Sequence, residues 1–174
     1  MFTLSPLRFL SSAAVGHAPA ASDTLTLHKS IFQAYAIKWD KRDADHPNLS
    51  PHMKSECVPK LLEDLHAAEP RTRRASHAMY AWRVRPDRST PTPLVGSSNG
   101  GEAGAGERLE RLLELGHCED VVLVVFRWYG GVKLGSDRWK CISSVAKEAL
   151  DRGGFLSRPS GEDGDQAPKG KRRK

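Results

Sequence analysis

The chain has 174 residues, enough for one domain of ordinary size and too few for two. Its formal net charge is +6, but residues 30–150 hold 18 Lys and Arg against 16 Asp and Glu, a net charge of +2 there. Charge alone therefore does not indicate a nucleic-acid-binding domain. No apolar run approaches the roughly 18 residues of a membrane span. The three cysteines lack the paired spacing that predicts a disulfide framework or a zinc site.

Composition divides the chain into three parts. We expect a flexible arm at residues 1–27, one domain at 28–152, and a disordered tail at 153–174 that ends in a run of Lys and Arg. The protein is expected to be cytoplasmic. The first 22 residues contain Arg8 and no acid, which makes a mitochondrial presequence one alternative, and the basic end makes a nuclear address another.

The first half of the domain alternates strand, helix and strand signals. Ser30–Lys38 has the apolar pattern of a strand. After a polar loop, apolar residues at helical spacing run from Met53 to Leu65, and Pro59 within them predicts a kink or a restart of the helix. His77–Val84 alternates between apolar and polar positions, which predicts a half-buried strand.

The second half predicts two more strands and two helices. Residues 94–95 suggest a short strand before a glycine-rich stretch at 96–106, and leucines at helical spacing then predict a helix that ends near Gly116. The continuous apolar run at 121–129 is typical of a central strand, and a last helix is expected at 136–152. This order predicts an α+β fold, a two-layer sandwich of a mixed four-stranded sheet with helices on one face.

The glycine-rich stretch is the first candidate for chemistry. Because it leads into a helix, its backbone N–H groups could hold an anion, although it has no P-loop GK[ST] signature. Glycines that let the loop pass close to the sheet explain the pattern equally well. Its one carboxylate, Glu102, is a candidate general base if His77 lies beside it, and a structural hydrogen bond is the alternative for His77. No triad, carboxylate pair or metal-ligand spacing supports an enzyme.

Further candidate binding residues follow the central strand. Alternation places Arg127 and Tyr129 on one face, where they could stack on bases or anchor a protein partner, and directs Trp128 into the core. Lys133 and Arg138 would add a positive rim, with a solvated surface as the alternative. The domain also has one basic cluster, either a set of phosphate contacts or a solvated loop, at Arg71, Arg73 and Arg74.

Four sequence blocks occur in the order seen in one known family. They are Ser30-x-Phe32-x-Ala34, Ala75-Ser76-His77-x-x-Tyr80-Ala81, Gly101-Glu102-x-x-Ala105-Gly106 and Arg127-Trp128-Tyr129-Gly130-Gly131-x-x-Leu134-Gly135-x-Asp137-Arg138. On these blocks the chain resembles the Impact family, which includes bacterial YigZ-type proteins and eukaryotic Impact proteins. The last block is close to the eukaryotic form. The resemblance implies a domain like the second domain of ribosomal protein S5.

The resemblance also implies a function. Eukaryotic members regulate translation by binding the large ribosome-associated activator of the kinase that phosphorylates the alpha subunit of translation initiation factor 2, and they are associated with actin. They thereby restrain that kinase during amino-acid starvation. We therefore expect a non-enzymatic translation regulator with no cofactor or metal. An RNA- or ribosome-binding module is the first alternative, as proposed for bacterial relatives, and an enzyme using Glu102 and His77 is the second.

Two features depart from the family pattern. Eukaryotic members usually carry an N-terminal RWD domain, and only a short segment precedes Ser30, so we expect this chain to lack that domain. Two acids commonly precede the Gly-Glu pair of the glycine-rich stretch, whereas Asn99 and Gly100 stand here. This second departure argues against a metal-binding or catalytic role for the stretch.

Overall fold

The computed structural model describes residues 18–39, 49–86 and 91–156, which form one sheet with helices packed against it. The strands are β1 (Ala20–Ala21), β2 (Leu25–Leu27), β3 (Ser30–Lys38), β4 (His77–Val84), β5 (Leu94–Ser98) and β6 (Val121–Trp128). The helical segments are α1 (Leu49–His52), a π-helical turn (Met53–Cys57), α2 (Val58–Ala68), a 3-10 segment (Pro70–Arg74), α3 (Ala105–Leu115) and α4 (Asp137–Arg152). The predicted longer strands and helices are all confirmed.

The sheet has six strands in the order β1-β3-β6-β4-β5, with β2 also paired to β3. Every strand pair among the described residues is antiparallel. The α+β class is confirmed, but the expectation of a mixed four-stranded sheet is wrong in strand number and direction. β3 and β4 do run parallel to each other, yet β6 lies between them and is antiparallel to both.

The segment before β3 belongs partly to the sheet. Residues 20–27 were expected to be part of a flexible arm, but Ala20 pairs with Ala36 and Leu25 pairs with Phe32. Strands of two and three residues are too short to give an alternation signal, which explains why the sequence did not predict them. The tail was expected to be disordered from residue 153, but Phe155 and Leu156 pack against the core. The remaining residues of the predicted arm and tail, 1–17 and 157–174, lie outside the described residues.

Both faces of the sheet are covered. Along β6, Val121, Leu123 and Val125 pack with the residues of α3 and α4 on one face. Val122, Val124 and Phe126 pack with those of α1, the π turn and α2 on the other. The expected two-layer arrangement with helices on one face is therefore corrected to three layers. A β-branched run without alternation is the pattern of a strand buried on both sides.

The break in the first helix is caused by proline, as predicted. Pro59 has no N–H and cannot continue the ladder of i to i−4 hydrogen bonds. Just before it, the Val58 N–H donates to the carbonyl of Met53, five residues back, which is the spacing of a π turn.

Within the described ranges, no helix is long and apolar enough to cross a membrane.

His66 links α2 to the 3-10 segment. The Thr72 hydroxyl donates to the carbonyl of Glu69 at 2.6 Å, so its oxygen accepts a hydrogen bond from Nδ1 of His66 at 2.7 Å. The His66 ring also packs on Phe126, with ring centroids 5.7 Å apart. Burial first, and then the positive charge of Arg73, lower the pKa of His66 below its ordinary value of 6.5.

This lowered pKa predicts acid destabilisation. Below about pH 6.5 the unfolded chain protonates His66 while the folded chain resists it, so folding stability falls as the pH drops toward the lower folded pKa. We expect the urea midpoint to fall between about pH 7.5 and about pH 5.5, and to fall less in His66→Gln. Equal changes in the two proteins would contradict the assignment.

The buried thiols are predicted to be unreactive. Burial raises the pKa of Cys118 to about 11 and also raises the pKa of Cys141. The thiolate is the reactive species, so both should resist thiol-specific reagents in the folded protein. We expect the half-buried Cys57 to be labelled first, as read by peptide mass spectrometry. Labelling of Cys118 before Cys57 would show that the segment after the C-terminal end of α3 opens more readily than its packing indicates.

Candidate functional site

A row of three side chains crosses the middle of the sheet at one end. Strand pairing puts Phe32 of β3 opposite Arg127 of β6, and His77 of β4 opposite Arg127 on its other side. Directly opposed residues share a face of a sheet. Phe32 packs in the cluster that α3 and α4 cover, so the row lies on that face.

Glu102 reaches this row from the glycine loop before α3. Its carboxylate is paired with the Arg127 guanidinium, and its second oxygen, Oε1, lies 3.0 Å from Nε of Arg138. Arg138 comes from the first turn of α4, so one carboxylate ties together β6, the glycine loop and α4. Glu102 is 7% exposed and Arg127 is 4% exposed, which makes this a buried charge cluster.

The charge of Arg127 in this cluster is held against neighbouring side chains and is not presented to solvent. The guanidinium carbon of Arg127 lies 5.4 Å from the ring centroid of Phe32 and 5.3 Å from that of Tyr129. Arg127 Nε has no hydrogen-bond partner among the described residues. The sequence predicted Arg127 as a contact residue at the surface, whereas the structure places it inside, beneath Tyr129. A buried arginine needs its carboxylate partner, so Glu102 and Arg127 depend on each other.

His77 is held by the loop more closely than by Glu102. Nδ1 of His77 lies 3.2 Å from the carbonyl oxygen of Gly100. A carbonyl only accepts, so Nδ1 carries the proton and Nε2 is unprotonated in the neutral ring. Nε2 lies 3.7 Å from Glu102, too far for a hydrogen bond. The predicted proximity of His77 and Glu102 is confirmed, and the hydrogen bond that His77 makes is a structural one.

The glycines of the loop are required by close approach to the sheet. A Cβ on Gly100 would lie 2.0 Å from the carbonyl oxygen of Ala78, and one on Gly106 would lie 2.8 Å from the backbone of Ser98. The N–H of Gly106 donates to Oδ1 of Asn99 at 2.7 Å, and the N–H of Glu102 donates to the Asn99 carbonyl. These two N–H groups are satisfied within the loop, which favours the close-approach explanation over an anion site.

The turn after β6 is exposed but held in place. The N–H of Tyr129 donates to Oγ of Ser76 at 2.9 Å, and that of Gly130 donates to Oγ of Ser30 at 3.1 Å. A Cβ on Gly130 would lie 2.2 Å from the carbonyl carbon of Lys29, so only glycine fits there. Tyr129 is 45% exposed, and Val132, which the sequence analysis did not single out, is 46% exposed.

The basic cluster of the 3-10 segment lies beside the same end of the sheet. The guanidinium of Arg71 stacks on Trp128 at 4.9 Å, and Nε1 of Trp128 donates to the Arg71 carbonyl at 3.1 Å. Trp128 is half-buried at the rim of its cluster, not inside the core as predicted. Arg73 and Arg74 are exposed.

Two further cation–aromatic contacts were not predicted from the sequence. Trp139 of α4 is half-buried, and its ring lies 4.4 Å from the guanidinium carbon of Arg138 and 5.5 Å from that of Arg108. Arg108 and Arg138 approach Trp139 from α3 and from α4. The sequence predicted a helix at 136–152, but helical spacing gives no signal for the packing of arginines on Trp139.

The structure therefore separates the predicted site residues into two sets. His77, Glu102, Arg127 and Arg138 meet in the buried cluster. The others lie at the surface of the same end of the sheet, at Tyr129, Lys133, Arg71, Arg73 and Arg74. In the described ranges, no group of three or more His, Cys, Asp or Glu residues is placed to hold a metal ion.

Comparisons of the sequence with known proteins point to one family. The sequence model of the Impact N-terminal domain matches residues 28–150. The chain is 36% identical to the Protein IMPACT homolog of Saccharomyces cerevisiae over 79% of its length and 47% of that protein's. It is 31% identical to IMPACT family member YDL177C of the same yeast, over 72% of its own length and 94% of that protein's.

A solved structure gives the same relationship. The structure of the two-domain translational regulator Yih1 is similar with a TM-score of 0.50 and 30% identity, covering 90% of this chain and 55% of that one. The chain thus spans about half the length of this regulator and of the IMPACT homolog, which it covers to 47%. A family model that matches most of the chain, together with these relatives, identifies the protein: it belongs to the Impact family.

Proposed function

We propose that this chain regulates translation by binding the ribosome-associated activator of the kinase that phosphorylates the alpha subunit of translation initiation factor 2. By occupying the activator during amino-acid starvation, it would restrain that kinase. The observation that carries the proposal is the similarity to the translational regulator Yih1, at 30% identity over 90% of this chain. The proposal locates the protein in the cytoplasm, where translation occurs, and includes actin as a second protein partner.

The geometry supports action through contact and not through catalysis. Glu102 is the candidate base of an enzyme, but it is buried and both of its oxygens lie against arginine nitrogens. A general base must reach the proton of a substrate and have room to accept it. We therefore propose that the protein is not an enzyme and that the buried cluster supports the exposed turn above it.

Affinity capture tests the proposal directly. The full chain, tagged and expressed in amino-acid-starved eukaryotic cells, should recover the kinase activator together with ribosomes. Recovery should persist after ribonuclease treatment, because the proposed contact is with protein. Failure to recover the activator under starvation would overturn the proposal, and loss of recovery after ribonuclease would favour contact through RNA.

RNA or ribosome binding remains the second candidate because Arg73 and Arg74 are exposed and shortly precede Ser76, whose hydroxyl accepts a hydrogen bond from the Tyr129 N–H. Each phosphate contact adds about one unit to the slope of log affinity against log salt, or somewhat less for single strands. A single-stranded RNA should therefore bind with a clear salt slope that falls in Arg73→Gln/Arg74→Gln. Binding no tighter than that of a neutral polymer at low salt would reject this candidate.

A further inference from the structure

We infer that the turn after β6 is the centre of a docking surface for an acidic protein segment that carries an apolar side chain. This inference rests on the proposed function and names the chemistry of the partner. We define the Tyr129 surface as the exposed side chains of one end of the sheet, Tyr129, Val132, Lys29, Arg73, Arg74 and Lys133.

The apolar centre of this surface is distinctive within the described residues. Among the described residues, four large apolar side chains are exposed. Two of them, Tyr129 and Val132, lie in this turn. The other two, Val95 and Leu115, are on β5 and at the end of α3. An exposed tyrosine beside an aliphatic residue is the composition of a contact centre in a protein interface.

The turn is pre-organised, so binding would order little. Ser76 and Ser30 accept hydrogen bonds from its first two N–H groups, and Gly130 lies directly against Lys29. At its far end, Leu134 is buried and its carbonyl accepts from the N–H of Asp137 at the start of α4. A rigid aromatic side chain loses little conformational entropy on binding, which raises its contribution to affinity.

The charges around this centre select an acidic partner. Lys29 is adjacent to Gly130, Arg73 and Arg74 precede the Ser76 that contacts Tyr129, and Lys133 follows Val132. Two acids of the adjoining segments have cationic partners: Glu102 is buried against two arginines, and Asp137 pairs with Lys140. Exposed cations in the turn and on the two segments that contact it are complementary to carboxylates around an apolar side chain.

The stacking geometry favours protein over nucleic acid. Single-stranded nucleic acid is bound by several aromatic faces in succession. Here Trp128 is covered by Arg71 at 4.9 Å and by Phe126, with ring centroids 6.2 Å apart, and one side of Tyr129 lies over Arg127. Tyr129 is left as a single exposed aromatic side chain, in the same turn as the exposed aliphatic Val132.

A selection from displayed random peptides tests the inference with the full, folded chain. We expect the enriched peptides to combine Asp or Glu with an aromatic or aliphatic residue. A synthetic copy of one such peptide should bind about tenfold more weakly to Tyr129→Ala and to Arg74→Glu/Lys133→Glu. The matched controls, Leu115→Ala and Lys147→Glu, alter an exposed apolar residue and an exposed lysine elsewhere and should bind as the unaltered chain does.

Three results of the peptide experiment would overturn the inference. They are no enrichment, enrichment of neutral or basic peptides, and peptide binding that Tyr129→Ala changes by less than about twofold. If an oligouridine RNA binds more tightly than the selected peptide, and Tyr129→Ala abolishes that binding, the surface is assigned to nucleic acid and the inference is also overturned. The two proposals can fail independently. If the activator is not captured but acidic peptides still bind here, only the proposed function is rejected. If the activator is captured but acidic peptides do not bind here, only the docking surface is rejected.

Discussion

Glu102→Gln is expected to lower the free energy of unfolding by about 3 kcal/mol or more. The substitution keeps the size of the side chain but removes its charge, and it leaves Arg127, which is 4% exposed, without a counter-charge. A buried charge that has lost its partner retains the full cost of its desolvation. Urea denaturation followed by circular dichroism measures the change.

Two comparisons separate this cause from a general loss of charge. Glu114→Gln removes one partner of an exposed pair with Arg111 and should change the stability by less than about 0.5 kcal/mol. Glu102→Gln combined with Arg127→Met removes both charges and should be more stable than Glu102→Gln alone. If Glu102→Gln costs no more than Glu114→Gln does, the buried cluster does not stabilise the fold.

Gly100→Ala is expected to be the most harmful of the glycine substitutions in the loop before α3. The Cβ would lie 2.0 Å from the carbonyl oxygen of Ala78, a backbone atom of β4 that cannot rotate away. The residue also has a φ of +53°, a conformation that costs a non-glycine residue about 1–2 kcal/mol. With about 1–3 kcal/mol for overpacking, the loss should reach roughly 3 kcal/mol.

Gly131→Ala is the matched control, because it places alanine at a positive φ without a steric clash. Its φ is +84°, and no heavy atom of the described residues, apart from its immediate neighbours, lies within 4 Å of the added Cβ. We expect it to cost about 1–2 kcal/mol, which is the conformational part alone. The two variants are compared by thermal unfolding. Equal losses would show that the glycine loop does not pass as close to β4 as the structure indicates.

The sequence predicted much of the fold because most elements have a strong local signal. Ser30–Lys38 and His77–Val84 carry strand patterns whose bounds match the structure, and the apolar run predicted at 121–129 forms a strand that ends one residue earlier, at Trp128. Pro59 predicted the helix break through the loss of its N–H. The sequence could not predict β1 and β2, because these strands are held by pairing with β3 and have no pattern of their own.

The site was predicted in its residues and not in its geometry. Alternation placed Arg127 and Tyr129 on the same face, but it could not say that α3 and α4 cover that face at Arg127 and leave Tyr129 exposed. Glu102 lies 25 residues before Arg127 in the chain, and their contact depends on strand register and on the path of a glycine loop. Neither is encoded in local spacing.

The level of phosphorylated initiation factor 2 alpha subunit in starved cells tests the central claim most directly. In cells whose own Impact-family gene has been deleted, the full chain should lower this level, and so should Leu115→Ala, which changes an apolar side chain that is 65% exposed at another site. Tyr129→Ala, expressed equally, should leave the level close to that of cells without the chain. Phosphorylation that is unchanged by the full chain, or lowered as well by Tyr129→Ala, would contradict the account.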